Sequence, residues 1–123
     1  VTIVACGPLV YQSLVAAKEL EKEGISAQVI NNHTIKPIDK LTLASAAKET
    51  GAVVTVEEHQ ITGGLGGAVA ETLAESYPVP MERVGMPDTF GESGQPSELL
   101  EKYGMSVKKI KEAVKSVLKR KLT

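Results

Sequence analysis

Glu57, Glu58 and His59 follow one another directly after an apolar run, and five glycine-rich residues, 63–67, come shortly behind them. A carboxylate beside an imidazole is the pairing that general acid–base chemistry uses. Neighbours on an extended strand point to opposite faces, so Glu57 and Glu58 cannot share one task if the strand runs through both. No second histidine lies within four residues, and His33 is far upstream, so the helical two-histidine zinc pattern is absent. Two uses stay open for His59, namely a proton-transfer role or a polar contact that fixes a loop or an interface.

Gly63, Gly64, Gly66 and Gly67, with Leu65 among them, form the second feature. Glycines at a strand-to-helix turn leave backbone N–H groups free, and a helix N-terminus favours an anion there. The dinucleotide fingerprint needs G-x-G-x-x-G directly behind a strand. Counted from Gly64, its last glycine falls on Val69, and residues 57–62 intervene. The Lys-Ser/Thr pair of a phosphate loop is missing as well. The structural alternative is close packing of backbone against backbone. Cys6 sits at the end of an apolar strand and reads as a small hydrophobe. His33, behind two asparagines, reads as a turn residue. Ser13, Ser45, Ser76, Ser93 and Ser97 lack the context of a nucleophile elbow.

These residues are positioned by alternating elements. VTIVAC (1–6) reads as a strand closed by Gly7-Pro8. Val10, Leu14, Ala17 and Leu20 give one helical face, with Gly24 just past its end. Residues 27–30 form a second strand. Asp39 caps a helix whose inner stripe is Leu41, Ala44 and Ala47, and Gly51 closes it. AVVTV (52–56) is the clearest buried strand. A helix with Leu65, Val69, Leu73 and Tyr77 follows, then a strand over 81–86. After the loop 87–97, Ser97 caps a short helix, Gly104 stops it, and Ser106 caps a last one. Strands alternating with helices imply an α/β fold, a three-layer α/β/α sandwich on a mostly parallel sheet of four to five strands. Residues 1–123 read as one domain. Val1 opens within a strand, which predicts that the chain is a piece of something longer.

Length and composition agree. At 123 residues the chain can bury a core without staples, and one cysteine excludes a disulfide framework. No apolar run reaches the roughly 20 residues of a membrane helix. Net charge −1, no Trp and one Phe leave little for nucleic acid to grip. Charge is uneven, −7 over residues 1–104 and +6 over 105–123. The terminal lysines alternate with Val107, Ile110, Val114, Val117 and Leu118 at helical spacing, which predicts a docked helix with a solvated cationic face rather than a nucleic-acid tail.

Three segments in register carry a resemblance. NNHTIKPID (31–39), TVEEHQITGGLGGAVAE (55–71) and DTFGESGQPSELLEKYG (88–104) together resemble the C-terminal domain of transketolases, over essentially the whole chain. Related domains occur in 1-deoxyxylulose-5-phosphate synthases and in 2-oxoacid dehydrogenase β subunits. The resemblance implies an enzyme that moves a two-carbon ketol unit between sugar phosphates, as in the pentose phosphate pathway. It implies thiamine diphosphate and a divalent metal (Mg or Ca) held by other domains, with no cofactor or metal on this one. It further implies a cytoplasmic homodimer and an upstream strand whose absence opens a sheet edge. Asn31-Asn32 mimics the end of the family's GDG…NN metal motif, but no GDG precedes it. The domain alone is expected to be inactive, with Glu57, Glu58, His59, Gly63, Gly64, Gly66 and Gly67 as interface or anion-site residues. On that view Gly66→Arg weakens subunit association. The alternatives are a regulatory small-anion module, or the equivalent domain of a 1-deoxyxylulose-5-phosphate synthase or 2-oxoacid dehydrogenase β subunit.

Overall fold

A computed structural model describes residues 1–6, 9–31, 39–58, 64–86 and 96–121, except for the side chains of 58 and 96–103. The strands are β1 (Thr2–Ala5), β2 (Gln28–Asn31), β3 (Val53–Glu58) and β4 (Met81–Met86). The helices are α1 (Leu9–Lys22), α2 (Lys40–Thr50), α3 (Leu65–Ser76) and α4 (Pro96–Arg120). All strands pair in parallel, in the order β2-β1-β3-β4, so four strands form the sheet among the described residues.

Alternation along the strands makes the three layers. Ile3, Ala5, Val54 and Val56 enter one core with Leu9, Leu20, Ile110, Val114 and Val117 of α1 and α4. Val4 and Val53 enter a second core with Leu43, Ala47, Leu65, Val69 and Leu73 of α2 and α3. A sheet covered on both faces needs strands that are apolar on both sides, which is why β1 and β3 read as continuous runs.

Local signals set the helix ends. Asp39 accepts hydrogen bonds from Thr42 N (3.0 Å) and Thr42 Oγ1 (2.6 Å), capping α2. These bonds, the side-chain one first, hold its carboxyl below the usual range. Gly51 closes α2 at φ +76°, donating to Ala47 O at 2.7 Å. Gly24 (φ +83°) ends α1, where Ile25 N reaches back to Leu20 O at 2.9 Å. Both are left-handed positions that cost a side chain energy.

Three expectations need correction. The inner face of α1 is Leu9, Gln12, Ser13, Ala16 and Leu20, with Val10 and Ala17 half-buried and Leu14 52% exposed. Counting apolar residues alone missed Gln12 and Ser13, the latter satisfied within the helix by Leu9 O at 2.9 Å. In α2 the buried set is Leu43, Ala46 and Ala47, leaving Leu41 85% exposed in the first turn. Gly104 and Ser106 do not separate two helices, because α4 runs unbroken from Pro96 to Arg120. The packing of Val107, Ile110, Val114 and Val117 outweighs one glycine, which costs a helix only about 1 kcal/mol. Smaller differences are a one-residue shift of β2 and Cys6 lying half-buried just past β1.

The unbroken helix makes a prediction with a sign. A Cβ at Gly104 would meet nothing within 4 Å, and its φ is not positive. Gly104→Ala is therefore expected to stabilise the chain by about 0.5–1 kcal/mol in urea unfolding. A left-handed glycine at a helix end would give a loss instead.

The cationic end of the chain docks as its periodicity predicts. Lys111 pairs with Glu19 (3.1 Å) and Glu23 (2.9 Å), and Lys115 pairs with Glu23 (2.7 Å), tying α4 to α1. Hydrogen bonds from Lys111 and then Lys115 hold the Glu23 carboxyl down to about 2. No helix among the described residues is long and apolar enough to cross a membrane.

Candidate functional site

In an open α/β sheet the crevice for ligands lies beyond the carboxyl ends of the strands, where the strand order reverses. Here β1 leads outward to β2 on one side while β3 leads to β4 on the other, so the reversal falls between β1 and β3. Cys6, at the end of β1, and Glu57 and Glu58, at the end of β3, stand at that point. The first turn of α3, Gly64 to Gly67, stands close by.

The strand does run through both acids. Glu57 goes to the α3 side, half-buried, where its Oε2 accepts the Gly66 N–H at 2.9 Å. This bond explains how α3 starts. Gly64 occupies the N-cap without a side chain to bond, and no acid lies in the first turn. Unpaired amides there need an acceptor, and the positive end of the helix dipole favours a charged one. A carboxylate arriving from the neighbouring strand supplies what the cap residue lacks.

Gly66 and Gly67 differ in what they permit. A Cβ at Gly66 would stand 3.1 Å from Arg83 Cδ and 3.3 Å from its Nε, so the arginine stem lies over a cradle that a methyl group would fill. A Cβ at Gly67 would meet nothing within 4 Å. Thus Gly66 serves a contact inside the chain, and Gly67 leaves backbone open to the outside. Arg83, on β4 opposite Thr55 of β3, belongs to this cluster although the sequence reading passed over it. Its one signal was a cation in the middle of a short strand, between Glu82 and the buried Val84.

The side chain of Glu58, together with His59, Gly63 and His33, lies outside the described residues, as does the expected turn at Asn32. Asn31 ends β2 and is exposed. Ser13 and Ser76 spend their hydroxyls on Leu9 O and Thr72 O. Among the described residues no group of three or more His, Cys, Asp or Glu could hold a metal ion. With a carboxylate already at the α3 amide, the turn is poorly suited to a diphosphate, whose charge Glu57 would repel. These residues therefore do not fit a diphosphate–metal cofactor. Their geometry suits contact, through a tethered turn, an open glycine and a positioned cation.

Comparison with known proteins gives the family. The family described as transketolase, C-terminal domain, matches residues 1–110. The chain is 49% identical over 121 residues to a 6-deoxy-6-sulfo-D-fructose transketolase subunit of Clostridium sp. (strain MSTE9), covering 98% of itself and 38% of that protein. It is 43% identical over 111 residues to a 1-deoxy-D-xylulose-5-phosphate synthase of Heliobacterium modesticaldum, covering 89% of itself and 17% of that protein. A solved structure titled a split gene transketolase, inactive beta4 tetramer, superposes with a TM-score of 0.83 at 51% identity, over 98% of this chain and 40% of that one. The chain thus spans less than half the length of each of these relatives.

Proposed function

This chain belongs to the transketolase C-terminal domain family, and from that premise we propose that it serves as the non-catalytic domain of a transketolase, holding an assembly together around active sites carried elsewhere. The complete enzyme would move a two-carbon ketol unit between sugar phosphates. Thiamine diphosphate, which enzymes of this family generally use, and its divalent metal would be held by the other domains or subunit, in a cytoplasmic homodimer or its split-chain equivalent. Relatives whose names describe them as subunits support a division of labour between chains. The single observation that carries the reading is the Glu57–Gly66 bond. It satisfies one amide of the helix terminus from within, and the open Gly67 beside it supports a contact role for the turn.

The site also says which substitution tests it. Gly66→Arg would displace Arg83 and disturb the domain itself, so a loss there is ambiguous. Gly67→Arg adds a side chain where the domain has room and improves helix propensity by up to about 1 kcal/mol. In the complete enzyme Gly67→Arg is expected to weaken association, measured by sedimentation, by about tenfold or more, and to reduce ketol transfer in parallel. Unchanged assembly would refute the contact role of this turn. A second reading, the equivalent domain of a 1-deoxyxylulose-5-phosphate synthase, is supported by the 43% identity to such an enzyme. Assaying the complete enzyme with pyruvate and with ketose phosphates as donors separates the two.

A further inference from the structure

Arg83 has a positioned stem and a free head. Its stem crosses the first turn of α3 at Gly66, where the missing Cβ makes room. Arg83 is exposed, and among the described residues its guanidinium makes no ion pair or hydrogen bond. The acids near it are otherwise engaged. Glu57 spends an oxygen on Gly66 N, and Glu82 accepts from Ser116 Oγ (2.9 Å) and Arg120 Nη2 (3.0 Å). The Glu57 carboxylate offsets the helix end but makes no ion pair with Arg83, so the guanidinium keeps no anion of its own among the described residues.

Its surroundings say what kind of anion. β4 is the outermost described strand on its side of the sheet, and no described strand pairs its outer edge. Arg120 donates to Met81 O at the start of that edge, and among the described residues no such bond covers it from Arg83 onward. An open edge offers a row of main-chain groups that suits pairing with another polypeptide. A guanidinium takes one carboxylate through two parallel N–H bonds. A phosphate would bring more charge to a place where Glu57 already faces Gly66.

We propose that Arg83, resting on Gly66 at the open edge of β4, is a docking cation for a carboxylate of the polypeptide with which this domain assembles. The proposal rests on the assembly reading above and adds to it the chemistry of the partner surface.

The test uses the complete enzyme. Arg83→Glu is expected to weaken association by about tenfold or more, Arg83→Gln by a smaller factor, and Arg83→Lys to recover part of the loss. The remaining association should depend less steeply on salt in Arg83→Gln than in wild type. Since Arg83 is exposed, all three variants should melt near wild type, and should Arg83→Glu fail to fold, Arg83→Gln is the deciding variant. Association within about twofold of wild type for Arg83→Gln and Arg83→Glu overturns the proposal. So does inorganic phosphate raising the melting temperature of wild type but not of Arg83→Gln, which would assign the cation to a free anion. If Gly67→Arg disrupts assembly while the Arg83 variants do not, this inference falls and the assembly reading stands.

Discussion

Ile110→Ala is expected to cost about 2–5 kcal/mol, the range for truncating a fully buried branched side chain. Ile110 is 0% exposed and sits in the middle of the α4 stripe, between Val107 and Val114, against the core shared with α1 and β3. For a chain of this length that is a fall in melting temperature of roughly 10–20 °C. Three methylene-sized groups leave a cavity that surrounding helices close only in part. The result discriminates because alanine is the better helix former. If α4 were a solvated cationic tail, the same substitution would be neutral or slightly stabilising. Lys109→Ala, on the exposed side of the same turn, provides the control and should stay within about 0.5 kcal/mol of wild type. Chemical unfolding of both variants, with slopes compared to wild type, checks the expectation.

That helix shows what a sequence can and cannot say. Its buried face was legible because Val107, Ile110, Val114 and Val117 repeat at helical spacing amid lysines, leaving one way to turn it. The layered α/β architecture was legible for a similar reason, since β1 and β3 carry apolar residues on both faces. In α1 the spacing of Val10, Leu14 and Ala17 was just as regular, yet the helix presents Gln12 and Ser13 to the core. Periodicity weighs hydrophobicity only. Ser13 satisfies itself on the preceding turn, and Gln12 enters with neither amide atom hydrogen-bonded among the described residues. The extent of α4 was misjudged through the opposite error, a local punctuation signal at Gly104 given more weight than tertiary packing. At the site, the sequence located the strand-end acids and the glycines but could not join them. The hydrogen bond from Gly66 N to Glu57 spans nine residues, and Arg83 arrives from another strand altogether. Such contacts follow from strand order and register, which no local spacing encodes.

Glu57→Ala should remove the one acceptor given to Gly66 N and cost about 1–2 kcal/mol, within the range for losing a helix cap or a charged hydrogen bond. The side chain is half-buried, so solvent takes over part of its role and the upper end of that range is not reached. Glu57→Gln keeps an oxygen at similar reach and should recover more than half of the loss. Glu57→Asp, one methylene shorter, should recover less. The decisive comparison adds inorganic phosphate at constant ionic strength. With Glu57 in place the amide is occupied and the melting temperature should not respond. With alanine at 57 the amide is free, the helix terminus attracts an anion, and phosphate should raise the melting temperature. An equal rise in both proteins would mean that the carboxylate does not fill the anion position, and the regulatory small-anion reading of the glycine turn would then regain its footing over the assembly role.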